Sequence, residues 1–187
     1  MFLTGASKNI HGPYCGGRAR SYSSLMSTPQ VDARQTFTEQ VARGVRRLCE
    51  EDVAQAIDLL EQLGYPQTGS DVERRIRRWA DGDDDAAFVW DERGTLLGVI
   101  AAHVVPSFEK DGSWLRIVAL VVHDAARGRG IGTSLVAAAE EFGHRKGCAS
   151  VEVTTARARE NARAFYRALG YRDRTEDAIR FNRDLPG

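Results

Sequence analysis

Only three lysines occur in 187 residues (Lys8, Lys110 and Lys146), so arginine carries nearly all of the positive charge. Lys+Arg and Asp+Glu balance at 26 each, which excludes a bulk field drawing the chain to nucleic acid or anionic membrane. Cysteine is equally scarce. Cys15, Cys49 and Cys148 are odd in number and widely spaced, and they form neither a metal pattern nor a disulfide framework. That usage fits a reducing cytoplasm, where the chain is expected to work without a metal. No apolar stretch approaches the roughly 20 residues needed to span a bilayer. Acid is missing from the start, where Asp32 is the first carboxylate. With Gly16-Gly17, Pro13, Pro29 and several serines, residues 1–40 have little with which to build a core. A mobile, untargeted extension is expected there, followed by one folded domain over 41–187. Two alternatives remain: a basic, serine-bearing transit segment without a clear amphipathic helix, or a natural start at Met26.

What is present in abundance is glycine at one place. Residues 127–132 read Arg-Gly-Arg-Gly-Ile-Gly and join an apolar, β-branched run (117–122) to a helical segment reaching about Lys146. Ile131, Leu135, Ala138 and Phe142 share one face of that helix. Glycines at alternate positions leave the backbone bare where the helix starts, so free N–H groups and the positive dipole end face any approaching phosphate. Arg127 and Arg129 add charge-assisted donors. Spacing excludes other cradles. A Rossmann fingerprint would need its third glycine at Thr133, and a Walker loop needs a lysine that is absent between Lys110 and Lys146. The form present, R-x-x-G-x-G from Arg127 through Gly130 to Gly132, resembles the pyrophosphate motif of the GNAT superfamily of acetyl-CoA-dependent N-acetyltransferases. The bland alternative is a glycine- and arginine-rich turn opening an ordinary helix.

Along the chain, residues 45–49 read as a strand. Glu50, Glu51 and Asp52 open a helix with Val53, Ala56, Ile57, Leu60 and Leu63 on one side, ended by Gly64. Ser70 and Glu73 make a capping box for a second helix that buries Val72, Ile76 and Trp79. Residues 86–90 and 96–104 form a hairpin through Arg93-Gly94, and 113–122 follows as a third strand. A strand over 150–155, a helix over 160–169 and a short strand over 179–182 complete the order. The fold class is α/β with α+β layering. The resemblance implies a mixed sheet of about six to seven strands, helices on both faces, and a splay between the strands ending near Val122 and Thr155.

A second constellation supports the first. Ala162, Phe165, Tyr166, Gly170 and Tyr171 fit A-x-x-F-Y-x-x-x-G-Y, which resembles the GNAT signature that closes a helix against coenzyme A. Arg159 stands where many relatives have asparagine. The same residues also make a plain helix core face, which is the structural alternative for Tyr166. The resemblance implies that pantetheine lies in the splay and bonds main-chain groups near Leu120 and Val122. Acetyl-CoA is then held by Leu120, Val122, Arg127, Gly128, Arg129, Gly130, Gly132 and Thr133. Tyr166 would protonate the leaving thiolate.

The base is less legible. Many relatives place a glutamate where this chain has Arg116. His123, just after the strand, suits a base by its titration range, and Glu152 and Glu109 are further candidates. Arg74, Arg75, Arg77 and Arg78 could receive an acidic acceptor or form a solvated face. The expectation is a cytoplasmic N-acetyltransferase of a small-molecule primary amine, with no nucleic acid or membrane partner and a homodimer left open. Two alternatives are acetylation of a protein N-terminus or lysine, and a non-catalytic acyl-CoA-binding module.

Overall fold

Period-two alternation of apolar side chains builds the sheet around two long central strands. The computed structural model describes residues 44–64, 69–176 and 181–185. Strand β1 (Gly44–Arg47) lies at one edge, followed by β2 (Asp85–Glu92), β3 (Thr95–Pro106), β4 (Ser113–Val122) and β5 (Cys148–Val153) in that spatial order. All neighbours are antiparallel except β4 and β5, which run parallel. Arg93 and Gly94 turn β2 into β3 with φ of 58° and 84°, as a two-residue hairpin of matching twist requires. Five strands occur among the described residues, against the six to seven expected. The expected strand over 179–182 is not formed at Phe181 and Asn182, and its first two residues lie outside the described residues. The expected extension over 1–40 lies outside them too.

Helices cover both faces. α1 (Val53–Gln62) and α2 (Gly69–Asp81) pack on one side, around Ala56, Leu59, Val72, Ile76, Val89, Val99 and Val121. α3 (Ile131–Arg145) and α4 (Glu160–Ala168) cover the other, where Leu135, Val136, Ala139 and Phe142 meet Phe88, Ile100, Leu115 and Ile117. Leu59, absent from the expected stripe, is the best-buried residue of α1, because that helix packs against both the sheet and the neighbouring α2. α2 begins at Gly69, so Ser70 lies inside the first turn rather than before it. No helix among the described residues is long and apolar enough to cross a membrane.

One polar cluster sits half-buried at a corner of this frame. Arg46 reaches both oxygens of Asp52 at 2.7 and 2.8 Å and Asp91 at 2.9 Å, and both carboxylates are almost fully buried. Asp91 also accepts the Gly94 N–H at 2.6 Å, and Asp52 accepts that of Cys49 at 2.9 Å. Burial opposes ionisation of Asp52, yet Arg46 and the Cys49 N–H win and hold its carboxyl below the ordinary range. The trio ties β1, the turn into α1 and the β2–β3 hairpin into one corner.

A bulge in β4 fixes which of its side chains face each helix layer. Ala101 pairs with Ala119 and Ala102 with Ile117, which leaves Val118 as an extra residue. Leu115 and Ile117 below the bulge pack toward α3, as do Leu120 and Val122 above it, while Val121 joins the α1–α2 core.

Candidate active site

β5 accompanies β4 only from Ser113 opposite Cys148 to Ile117 opposite Val153. Beyond Ile117, β4 continues beside β3 as far as Val122, but no strand among the described residues borders its other edge. His123 donates its N–H to the Leu97 carbonyl at 2.9 Å, toward β3. By the alternation of an antiparallel ladder, Leu120 and Val122 therefore turn their main-chain groups toward the splay. The Val122 carbonyl is already partnered there, accepting from Arg127 Nε at 3.3 Å.

The glycine loop leads from that edge into α3. Gly128 and Gly130 have φ of 77° and 79°, a left-handed conformation that a side chain would strain. Gly130 is the N-cap of α3 and no side chain caps it. The first helical bond runs from Ser134 N–H to the Gly130 carbonyl at 3.0 Å, so the N–H groups before it have no carbonyl within the helix. A Cβ at Gly128 or Gly130 would meet nothing within 4 Å, so the approach is open. The two arginines behave unlike the expected free donors. Arg127 pairs with Asp124 as well as with Val122, and Arg129 forks onto Glu92 at 2.7 and 2.8 Å. Thr133 is exposed on the first turn.

Gly132 has another neighbour. A Cβ there would lie 3.3 Å from Phe165, so the missing side chain admits the ring of α4 against the start of α3. The two motifs thus meet through Gly132 and Phe165. Part of the second motif is a helix terminus: Gly170 has φ of 87°, and Tyr171 N–H reaches back to the Tyr166 carbonyl at 3.0 Å. That is the Schellman pattern, and its usual apolar contact is present as a Tyr166–Tyr171 ring pair at 5.4 Å. Arg159 donates to the Leu63 carbonyl at 3.0 Å, tying the start of α4 to the end of α1.

A family model of the GNAT acetyltransferases matches residues 53–171. The chain belongs to this family. GNAT folds recur among solved structures similar to it. AAC(6′)-Iy in complex with a bisubstrate analogue, CoA-S-monomethyl-acetylneamine, has a TM-score of 0.67 at 19% identity, covering 75% of this chain and 97% of that one. Glucosamine-6-phosphate N-acetyltransferase from Arabidopsis thaliana has a TM-score of 0.65 at 22% identity, with coverage of 76% and 97%. A transcriptional regulator from Bacillus halodurans C-125 has 0.66 at 22%, with 74% and 97%. At such identities the likeness is one of fold. A comparison with curated proteins returned no match.

The remaining candidate residues of this GNAT domain divide between two faces. Tyr166 is 9% exposed on α4, inside the α3 core, yet it reaches an open cleft that runs along β5. Burial pushes its hydroxyl up to about 12. His123 uses Nδ1 to accept the Ala125 N–H at 3.2 Å, a cap on the turn after β4. In the neutral ring that bond leaves the proton on Nε2, so a base role would require the cap to break. Of the arginines on α2, Arg77 is bound to Glu50 and Glu73, as a solvated face would be.

On the face opposite α3, strand register assembles a row that no single motif contains. Asp85 stands opposite His103, His103 opposite Arg116, and Arg116 opposite Glu152. His103 Nδ1 lies 2.5 Å from Asp85, and Arg116 Nη1 lies 3.4 Å from Glu152. Arg116 and Glu152 both line the cleft. The sequence named them separately, but their contact depends on the β4–β5 register. Among the described residues no group of three or more His, Cys, Asp or Glu side chains could hold a metal.

Proposed function

We propose that the chain moves an acetyl group from acetyl-CoA to a primary amine of a small molecule by direct attack. The observation that carries this reading is the unpaired edge of β4 beside an uncapped, glycine-started helix. Leu120 and Val122 offer main-chain donors and acceptors to an extended pantetheine arm, much as an added strand would be held. A main-chain N–H there also meets charge growing on the thioester oxygen. The start of α3, with Gly128, Gly130, Gly132 and Thr133, receives the diphosphate through N–H groups and the helix dipole. Arg127 must leave the Val122 carbonyl for pantetheine to pair there, and it must also exchange Asp124 for the phosphates to contact them. Arg129 contributes little, because Glu92 already neutralises it. The shared fold supports acetyl-CoA as co-substrate, since AAC(6′)-Iy was crystallised with CoA itself.

The reaction needs a neutral amine. A base takes one ammonium proton, the nitrogen pair forms the C–N bond, and the C–S bond breaks with its electrons on sulfur; the nitrogen sheds its second proton to solvent, and solvent restores the proton that Tyr166 gives up. Tyr166 supplies the thiolate's proton. A hydroxyl held near 12 stays protonated at neutral pH and yields its proton only as thiolate charge develops.

The test is thiol release from acetyl-CoA by the full chain with a panel of amines, including a lysine peptide. Release with small amines supports the reading. Tight acetyl-CoA binding without release from any amine would overturn it in favour of a binding module. A second reading, acetylation of a protein amine, is favoured by one observation: the cleft is open rather than a deep acidic pocket. Preference for the peptide over every small amine would establish that one instead.

A further inference from the structure

We infer that the acceptor carries a carboxylate beside its amine, as an α-amino acid does, with Arg116 holding the carboxylate and Glu152 receiving the ammonium. This deepens the acetyltransfer reading and rests on it. Three observations converge. First, position: Arg116 and Glu152 are partners one register step below Ile117 and Val153, the last pair before β4 and β5 separate. Both side chains therefore stand at the foot of the splay, where the acetyl end of an inserted pantetheine would stop. Second, accessibility: their side chains are 37% and 46% exposed, and the 3.4 Å contact between them is long for a charge-assisted bond. Asp85 occupies His103 instead, so among the described residues no other carboxylate reaches the Arg116 guanidinium. Third, charge: seven cationic and five anionic side chains line the cleft. That lining disfavours a polycation and suits a ligand bearing an anionic group.

An arginine and a glutamate in contact present one charge of each sign side by side. A zwitterion whose ammonium and carboxylate are one carbon apart presents the complementary pair. The guanidinium fork takes the carboxylate in two parallel bonds, and Glu152 accepts from the ammonium. Glu152 then removes one ammonium proton, which makes it the base that the arginine at position 116 displaced from β4. Trp114, on the same face as Arg116 and also lining the cleft, supplies an apolar wall for the rest of the molecule.

Matched pairs of amines test this: glycine with methylamine, phenylalanine with phenethylamine, and lysine with 1,5-diaminopentane. Thiol release by the full chain should favour the carboxylated member of each pair by about 10- to 100-fold in kcat/KM. Arg116→Gln should collapse that ratio toward one, mainly through KM, and Arg116→Lys should restore part of it. Glu152→Gln should lower kcat for both members. Inhibition of the unaltered chain by an N-acetyl amino acid, against its amide, reads the same preference without any variant that has to fold. Equal turnover of both members, or equal inhibition by acid and amide, would overturn the inference while leaving acetyltransfer intact. An Arg116→Gln protein that kept the preference would overturn it too. Release from no amine at all would strike the acetyltransfer reading itself, and this inference with it.

Discussion

At the upper end of β4 the donors belong to the main chain: Leu120, Val122 and the first turn of α3 present N–H groups, and the nearby arginines are bound elsewhere. At the lower end the surface is made of side chains, with Arg116 and Glu152 brought together from two strands. A backbone site can be specified only by residues that shape the backbone, so it appears in the sequence as glycines at fixed spacing. A side-chain site can be changed one residue at a time without disturbing the fold. On the proposed reading, the constant half of the reaction is written in the first way and the variable half in the second.

Changes to side chains and changes to backbone should therefore fail differently. The largest effect is expected at Tyr166→Phe, which keeps the ring pair with Tyr171 and removes only the hydroxyl. Turnover should fall by about 100- to 10,000-fold, with acetyl-CoA affinity nearly unchanged. Wild-type turnover with chemistry rate-limiting would return Tyr166 to the core. Arg46→Met should act on neither half but on the frame they share. It leaves two buried carboxylates without their cation, and because Arg46 itself is 39% exposed, unfolding by urea should show a loss of about 1 to 3 kcal/mol. Because Asp52 titrates below its ordinary range when folded, Arg46 stabilises only its ionised form. The gap between variant and wild type should be full above about pH 5 and narrow as pH falls through about 4 and below. A gap independent of pH would show that the trio does not act through charge.

Gly130→Val tests the backbone half. A β-branched residue at φ of 79° is strained by about 1 to 2 kcal/mol, and its bulk projects into the open approach. Acetyl-CoA affinity by calorimetry should drop at least about tenfold. Gly132→Val is a poorer probe, since it would strike Phe165 and confound binding with packing. The smallest effect is expected at Arg129→Gln. With Glu92 already holding the guanidinium, affinity should change less than about threefold, and a larger loss would show that Arg129 leaves Glu92 for the diphosphate.

Most of the fold was legible because its signals are local. The bounds of β4 and the Arg93-Gly94 hairpin were expected from the sequence almost to the residue, as was α3. The order of elements followed from them. Local motifs also located the glycine loop before α3, and α4. Contacts that join distant positions were not legible: the Arg46 trio, Glu92 on Arg129, Arg159 on Leu63, and the Arg116–Glu152 pair all depend on register or helix placement. Even the motif residues divided unexpectedly. Gly170 and Tyr171 close a helix end, and Gly132 makes room for Phe165, so a signature read as one binding site serves packing as well.

The extra residue at Val118 gives β4 a change of phase. Below it and above it the strand keeps the same apolar face toward α3, but only because one position has been added to the count. Losing that single residue would not shorten the strand so much as rotate its upper half. Val121 would be turned toward α3, and Leu120 and Val122 toward α1 and α2. The carbonyls and N–H groups now aimed at the splay would then address β3. Insertions and deletions are usually tolerated in loops and absorbed there. Here one codon in the middle of a strand decides which residues of β4 face the open edge, and the loop from Pro106 to Gly112 could vary in length without touching that decision.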